Sequence, residues 1–388
     1  MSKKSLLFVN GHLNVGGIER SLVDLLKALD YSEYEVDLLL LERLGTYVDE
    51  IPAAVRILSI DGEHVYGPLI NTLVKNIIHG RLKETIYRII LLLSSMFGEH
   101  MLRLMRLITG IKKQYDCAIA YRLGPSDQFV SVVVNSVRKV CWWHNGECNY
   151  SVSDINTIAR YWQNYYKIVA VSRATGELVQ KTFNLPESKV SVIPNIIDVE
   201  NIERLAGSTC PYPQKEKIII TIGRLCWEKH IEDVPLIARR LVDFGVHFKW
   251  YIIGDGEKKD EIQALIEEKD VTDCVVMLGS QSNPYPFVKY ADVMMHTSHI
   301  EAHCLTILEA MALKLPVVVT QTQLPQDFIR DGENCLLAEQ SIASQADCII
   351  KIVSDPQTSR LLVENAYSMV TDLYSPEEII SRVELLVS

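Results

Sequence analysis

The stretch Met294–Thr320, MMHTSHIEAHCLTILEAMALKLPVVVT, narrows the fold more than any other part of the chain. It opens with an apolar run and crosses a short polar turn. Apolar residues then recur at Leu305, Leu308, Met311, Ala312 and Leu315, which is the helical period. Pro316 ends the helix, because proline cannot extend the backbone ladder and biases its predecessor away from helical angles. Val317–Thr320 reads as a second strand. The stretch is therefore a β-loop-α-β unit.

Two acids stand in it with seven residues between them, Glu301 in the turn and Glu309 inside the helix. Were both helical, their backbones would be roughly 12 Å apart along the axis. That span suits the two ends of a nucleotide-sugar, a sugar at one carboxylate and a ribose diol at the other. Between them the helix N-terminus, Cys304 to Thr306, offers free amides and a positive dipole end to a pyrophosphate. Taken alone, two such acids are more often solvated surface charges.

The same alternation runs through the rest of the chain. Leu6–Val9 is a strand and Ile18–Leu29 a helix, with Gly11-His12-Leu13-Asn14-Val15-Gly16-Gly17 between them. A glycine pair at a strand-to-helix turn lets the backbone approach an anionic ligand, although a plain tight turn accounts for it as well. Strands follow at Tyr34–Leu41, Val55–Ile60, Asp116–Tyr121, Lys139–Trp143, Tyr166–Ser172 and Lys189–Ile193, with a helix at Arg173–Phe183. After Glu200–Lys217, which holds Gly207, Pro211 and Pro213 and reads as a tether, come strands at Lys217–Ile222, Trp250–Ile253 and Val275–Gly279. Gly254-Asp255-Gly256 lacks the third glycine of a dinucleotide fingerprint, Lys259 standing in its place. Alternating strand and helix in both halves means doubly wound α/β. At 388 residues the chain is long enough for two such domains.

With 48% hydrophobic and 23% charged residues the chain can bury an ample core. Its net charge of −10 argues against a nucleic-acid binder. Nine scattered cysteines without a C-x-x-C pair imply no disulfide framework and fit a reduced cytoplasmic compartment. The apolar run after Lys3 and Lys4 is too short for a signal peptide, and no run approaches the ~18 residues of a membrane span. Cys141, His144 and Cys148, like His296, His299 and His303, lack a fourth ligand nearby and give no zinc expectation. One region departs from the acidic background. Between Lys75 and Lys113 there are eight basic residues, Lys75, Arg81, Lys83, Arg88, Arg103, Arg106, Lys112 and Lys113, against Glu84 and Glu99. Basic and rich in Leu, Ile and Met, it reads either as a helical patch seeking an anionic membrane surface or as a solvated helix pair.

Three motifs carry a family resemblance. Ser298-x-x-Glu301-x7-Glu309-Ala310-Met311 resembles the E-x7-E signature of the large retaining glycosyltransferase family with the GT-B fold (glycosyltransferase family 4, glycosyl transferases group 1). Ala302-His303-Cys304 stands where Gly-Phe-Gly is usual. Gly223-Arg224-Leu225-Cys226-Trp227-Glu228-Lys229-His230 resembles the family's G-R-L-x-x-x-K-G turn, with His230 for the last glycine. The passage from Val171 to Pro194-Asn195 and Asp198 resembles V-x-S … V-I-P-N-x-x-D, with Ile196 where Gly is common.

The resemblance implies two Rossmann-like domains facing across a cleft: residues 1–198 on the acceptor side, a linker 199–216, a nucleotide-sugar domain 217–374, and a helix 375–388, begun by Ser375-Pro376, crossing back. It implies Glu301 orienting sugar hydroxyls, Glu309 holding the ribose, and Arg224 and Lys229 on the pyrophosphate, where a forked guanidinium and a point-charge ammonium suit a dianionic leaving group. His144 would touch the sugar from the first domain, Gly16 and Gly17 would face the donor, and Gly223, His303, Cys304, Leu305 and Thr306 would line its pocket. Ser280-Gln281-Ser282 would edge the base. The expected reaction retains anomeric configuration and uses neither metal nor cofactor. It moves a hexose-type sugar from a UDP- or GDP-linked donor to a glycan or lipid-linked acceptor in bacterial surface polysaccharide synthesis. The rival readings are a non-catalytic nucleotide-sugar-binding partner subunit and a GT-B sugar-nucleotide epimerase.

Overall fold

The computed structural model describes residues 3–42, 45–59, 69–97, 99–107, 109, 111, 113–213, 216–323 and 326–387. Ile60 and Lys112, both named above, lie outside them. The chain divides into two units. The first comprises residues 1–144, 148–194 and 380–388, and the second residues 145–147 and 195–379.

In the first unit seven strands form one parallel sheet: β1 (Lys4–Asn10), β2 (Tyr34–Leu40), β3 (Arg56–Ser59), β4 (Tyr115–Ala120), β5 (Ser136–Trp143), β6 (Lys167–Ala170) and β7 (Val190–Val192). Their order is β3-β2-β1-β4-β5-β6-β7. Leu6, Leu7, Phe8 and Val9 of β1 are all fully buried, as a strand covered on both faces requires. Register follows from this: β1 pairs Leu6 with Val36 on one side and with Cys117 on the other. Asp37, buried on β2, is kept ionised against the cost of burial by Arg56, Tyr115 and Lys113.

The second unit repeats the design with β8 (Lys217–Ile222), β9 (Phe248–Ile253), β10 (Val275–Gly279), β11 (Val293–His296), β12 (Val317–Thr320) and β13 (Leu336–Ala338), in the order β10-β9-β8-β11-β12-β13. Every pairing is parallel. In both sheets the strand order reverses beside the first strand, between β1 and β4 and between β8 and β11. Loops leaving the carboxyl ends of two such strands diverge to opposite sides, and ligands of open α/β sheets bind in the crevice so formed.

Part of the stretch read as a tether is the helix Val199–Ala206, capped by Asp198 and packed through Ile202 and Ala206 into the second core. The Lys75–Lys113 region consists of helices Leu69–Ile78 and Leu82–Phe97 and a 3-10 segment Glu99–Leu107. Tyr87, Ile90, Leu102 and Met105 anchor it in the first core. Its basic residues do not form one free face. Arg88 is buried at 4% exposure, Arg106 donates to the Val133 carbonyl, and Lys113 pairs with Glu35 and Asp37. Much of what is exposed is apolar: Ile77 at 60%, Ile78 at 72% and Leu82 at 73%, continued by Ile86, Ile89 and Met96. Leu82, Ile86 and Ile89 are spaced four and three apart and so share one stripe. Lys75, Lys83 and Arg103 are exposed on the same segment.

Among the described residues no helix is long and apolar enough to cross a membrane.

Candidate functional site

At the switch point of the second sheet, two loops converge on one carboxylate. The turn after β8 brings Lys229, whose Nζ is hydrogen-bonded to Glu301 Oε1. The loop after β11 brings Glu301 itself, and His296, the last residue of β11, places Nε2 3.1 Å from the same oxygen. Cys304 Sγ lies 2.8 Å from His296 Nε2 and Ser298 Oγ 3.3 Å from it. Glu301, His296 and Cys304 are all buried. Burial opposes the charge on Glu301, but the Lys229 ammonium and the His296 ring override it and hold the carboxyl well below the usual carboxylate range. Burial likewise opposes protonation of His296, yet Cys304 and Glu301 lift it to about 9, so the ring is an imidazolium at neutral pH. The cluster is a buried carboxylate held between two cations.

Backbone geometry fixes this arrangement. Lys229 ends a one-turn 3-10 segment, Trp227–Lys229, and its carbonyl accepts from Thr297 Oγ1 at 2.7 Å. His299 N donates to the Glu228 carbonyl at 3.0 Å, so the two loops are laced together. Gly223 N donates to Ile253 O, and a Cβ at Gly254, whose φ is +147, would meet the Gly223 carbonyl. Gly256 also backs on Leu225 O, which a Cβ there would meet at 2.4 Å. These glycines of the Gly254-Asp255-Gly256 run let β9's exit press against the Gly223–Leu225 turn. Gly146 is required for a similar reason, its Cβ position lying 2.7 Å from the Glu301 carbonyl carbon.

The helix Leu305–Ala312 has Cys304 as its N-cap, whose side chain does not cap it, so no cap side chain competes for its first amides, the groups with which helix N-termini bind anions. Leu305 and Thr306 are its first two residues, and Thr306 Oγ1 lies 3.2 Å from Cys304 Sγ. Glu309, one turn further on, accepts from Tyr285 Oη at 2.9 Å. His303 is buried against Phe328 and Tyr374, with Nδ1 3.3 Å from Asn195 Nδ2. Burial drives it down to about 4, so it is neutral. Arg224 is exposed and makes no ion pair with a described residue.

In the first unit, Gly16 precedes the helix Gly17–Ala28, and a Cβ on it would meet Glu19 Oε2 at 2.4 Å. Glu19, buried, takes Arg122 at 3.0 Å and faces His12 at 3.6 Å. This trio stands at the β1/β4 switch point. His144 follows β5 and packs on the Tyr121 ring, centroids 4.9 Å apart.

Within the second unit, then, Glu301, Lys229 and Cys304 meet at one point, while Glu309 has a separate partner. His144, Gly16 and Gly17 belong to the other unit. Sequence reasoning named His296, Asn195 and His12 without giving them these partners, and passed over Tyr285, Glu19 and Arg122. His296 is the last apolar-flanked residue before a polar turn at a switch-point strand, which is the signal that could have singled it out.

Two parallel sheets, each in Rossmann order, define the GT-B fold class. Across 99% of this chain and all of its own, a mutant of S. aureus TarM in complex with fondaparinux, alpha-GlcNAc-glycerol and UDP superposes with a TM-score of 0.74 at 16% identity. Residues 15–201 match the model of Glycosyltransferase Family 4 and residues 211–369 that of Glycosyl transferases group 1. The chain belongs to this glycosyltransferase family. It is 30% identical over 205 residues to the poly(ribitol-phosphate) alpha-N-acetylglucosaminyltransferase of Staphylococcus aureus (strain COL), covering 51% of this chain and 42% of that one. It is 29% identical to an N-acetylgalactosamine-N,N'-diacetylbacillosaminyl-diphospho-undecaprenol 4-alpha-N-acetylgalactosaminyltransferase of Campylobacter jejuni, covering 44% and 46%. The matches thus span about half the length of these curated relatives.

Proposed function

We propose that this chain is a glycosyltransferase that moves a hexose-type sugar, with retention of anomeric configuration, from a UDP- or GDP-linked donor to a glycan or lipid-linked acceptor in bacterial surface polysaccharide synthesis. The observation that carries this reading is the Lys229–Glu301–His296 cluster beside the uncapped N-terminus of Leu305–Ala312. A buried carboxylate between two cations is a preorganised acceptor for sugar hydroxyls. The helix amides, with Arg224 and Lys229, supply positive potential where a departing diphosphate gains charge. On arrival the diphosphate competes with Glu301 for Lys229, so the ammonium serves both ends of the donor. Glu309, with Tyr285 beside it, suits the ribose diol. The first unit would contribute Gly16, Gly17 and His144.

These groups do the electrostatic work for which other transferases employ a divalent cation, so the reading includes metal-independent transfer. No side chain in the cluster is an uncommitted nucleophile, which favours front-face transfer with the leaving phosphate assisting the acceptor hydroxyl. The acceptor reading draws on the exposed apolar stripe Leu82–Ile86–Ile89 and exposed Ile78 on the preceding helix, with Lys75 and Lys83 on the same segment. Such a face suits the headgroup region of an anionic membrane, where a lipid-linked acceptor would be presented at the inner face of the cell membrane. The relative from Campylobacter jejuni is itself named for a diphospho-undecaprenol substrate.

A panel of UDP- and GDP-sugars, scored by thermal shift and by release of nucleoside diphosphate, tests the reading. One or more donors should stabilise the protein and turn over in the presence of EDTA, with an α-linked product from an α-linked donor. Binding without turnover with any acceptor would point to the non-catalytic partner subunit. Release of an epimerised sugar would point to the epimerase. Activity lost to EDTA and restored by magnesium or manganese, but not zinc, would overturn metal independence.

A further inference from the structure

His230, Asp233 and His299 form a second polar cluster beside the Lys229–Glu301 pair. Their potential ligand atoms, a ring nitrogen of each histidine and a carboxylate oxygen, all lie within 4.8 Å of one another. The two imidazoles are stacked, with centroids 3.4 Å apart and planes 19° from parallel, so one ring must turn out of the stack for both in-plane nitrogen lone pairs to meet one ion. His299 Nε2 is buried and has no hydrogen-bond partner. His230 has φ +46, in the left-handed region that favours glycine, so a ring-bearing residue there works against its own backbone. Glu232 approaches His230 Nδ1 at 3.9 Å, but Lys258 already neutralises that carboxylate.

We propose that His230, Asp233 and His299 bind a borderline divalent transition-metal ion of the Zn²⁺ class, tying the turn that carries Lys229 to the loop that carries Glu301. Two imidazoles and one carboxylate are the donor set such ions select, with a fourth position left for water. Magnesium and calcium prefer all-oxygen sites and are disfavoured by the histidine pair. An ion here gives a purpose to a histidine in a glycine conformation. His230 is adjacent to Lys229, and His299 is two residues before Glu301, so the ion would act as a staple on the geometry of that pair. In the other such cluster among the described residues, His296, Glu301 and Cys304, the atoms His296 Nε2, Glu301 Oε1 and Cys304 Sγ are already engaged with one another and with Lys229. The binding site stands independently of the glycosyl-transfer reading, which only its staple role invokes.

The test uses the untagged full-length chain, stripped with chelator and titrated with Co²⁺. The expected result is one bound equivalent with visible d–d absorption, no sulfur-to-cobalt charge-transfer band, displacement by Zn²⁺, and a higher melting temperature with Zn²⁺. His230→Gly, which suits the left-handed backbone and so keeps the fold, should weaken binding at least about tenfold, and His299→Gln should do the same. Equal Co²⁺ binding by the parent and His230→Gly proteins would overturn the proposal. So would absence of binding at micromolar metal. An intense near-ultraviolet thiolate band that disappears in Cys304→Ala would also overturn it, by moving the ion to the His296–Glu301–Cys304 cluster. Because every readout is metal binding, failure here leaves the donor panel unaffected.

Discussion

Glu301 is charged where burial alone would neutralise it, and the reason is two cations on one oxygen. Removing the carboxylate's charge leaves Lys229 and His296 facing each other without it. Breaking a buried pair from one side costs roughly 3–5 kcal/mol. Glu301→Gln is therefore expected to lower the denaturation midpoint clearly as well as to abolish transfer; a midpoint equal to the parent's in urea melts would show that the cluster stores no such energy. His296 gives a pH signature. Its folded value of about 9 stands above the ordinary 6.5, so its contribution is full below about pH 6.5 and is lost as pH rises through 9. Glu301 and Cys304 are the groups that face it, with Ser298 as a neutral neighbour and Lys229 reaching it through Glu301. Thermal melts between pH 7 and 9.5 should fall more steeply in the parent than in His296→Asn, and parallel slopes would contradict the assignment. At Glu309, Gln substitution keeps a hydrogen-bonding group but loses the charged acceptor, a difference of about 1.5–3 kcal/mol. Donor affinity should drop at least about tenfold by calorimetry. Unchanged affinity would remove Glu309 from the ribose. Glu301, Lys229 and Glu309 were legible because motif spacing marks them. His296 was not, because its role depends on which strand ends beside which loop, and that is decided by sheet order.

Elements were read most securely where one periodicity dominated. The apolar runs within β1 and β8 and the helix Leu305–Ala312 lie where the pattern predicts them. The helix Val199–Ala206 was hidden by the prolines and glycine after it, although Asp198 is a sound N-cap and Val199, Ile202 and Leu205 keep helical spacing. β13 has only three residues, Leu336–Ala338, too few for any period to show. Charge counting misjudged the Lys75–Lys113 region, since Arg88 and Arg106 face protein and Lys113 serves the first sheet's Asp37. The exposed apolar stripe is the feature that survives, and it shifts the membrane test from charge to hydrophobicity. Ile78→Glu with Leu82→Glu should release the protein from vesicles of mixed anionic and neutral lipid while leaving nucleotide binding intact. Equal sedimentation of variant and parent at physiological salt would make this segment an ordinary solvated helix pair.

At the scale of the whole molecule, two sheets with the same reversal of strand order present two switch points, each occupied by a buried glutamate paired with a cation: Glu19 with Arg122, and Glu301 with Lys229. The alternating pattern made the doubly wound class legible. It could not reveal that order, because parallel neighbours are chosen by tertiary packing and not by adjacency in sequence. We propose that the second switch point is where the donor's diphosphate is held and released. Turnover of the donor identified by the panel should fall by roughly 10²-fold or more in Arg224→Ala and in Lys229→Ala, each of which removes a preorganised positive group from the site of developing charge. Parent-like turnover in both variants would contradict it.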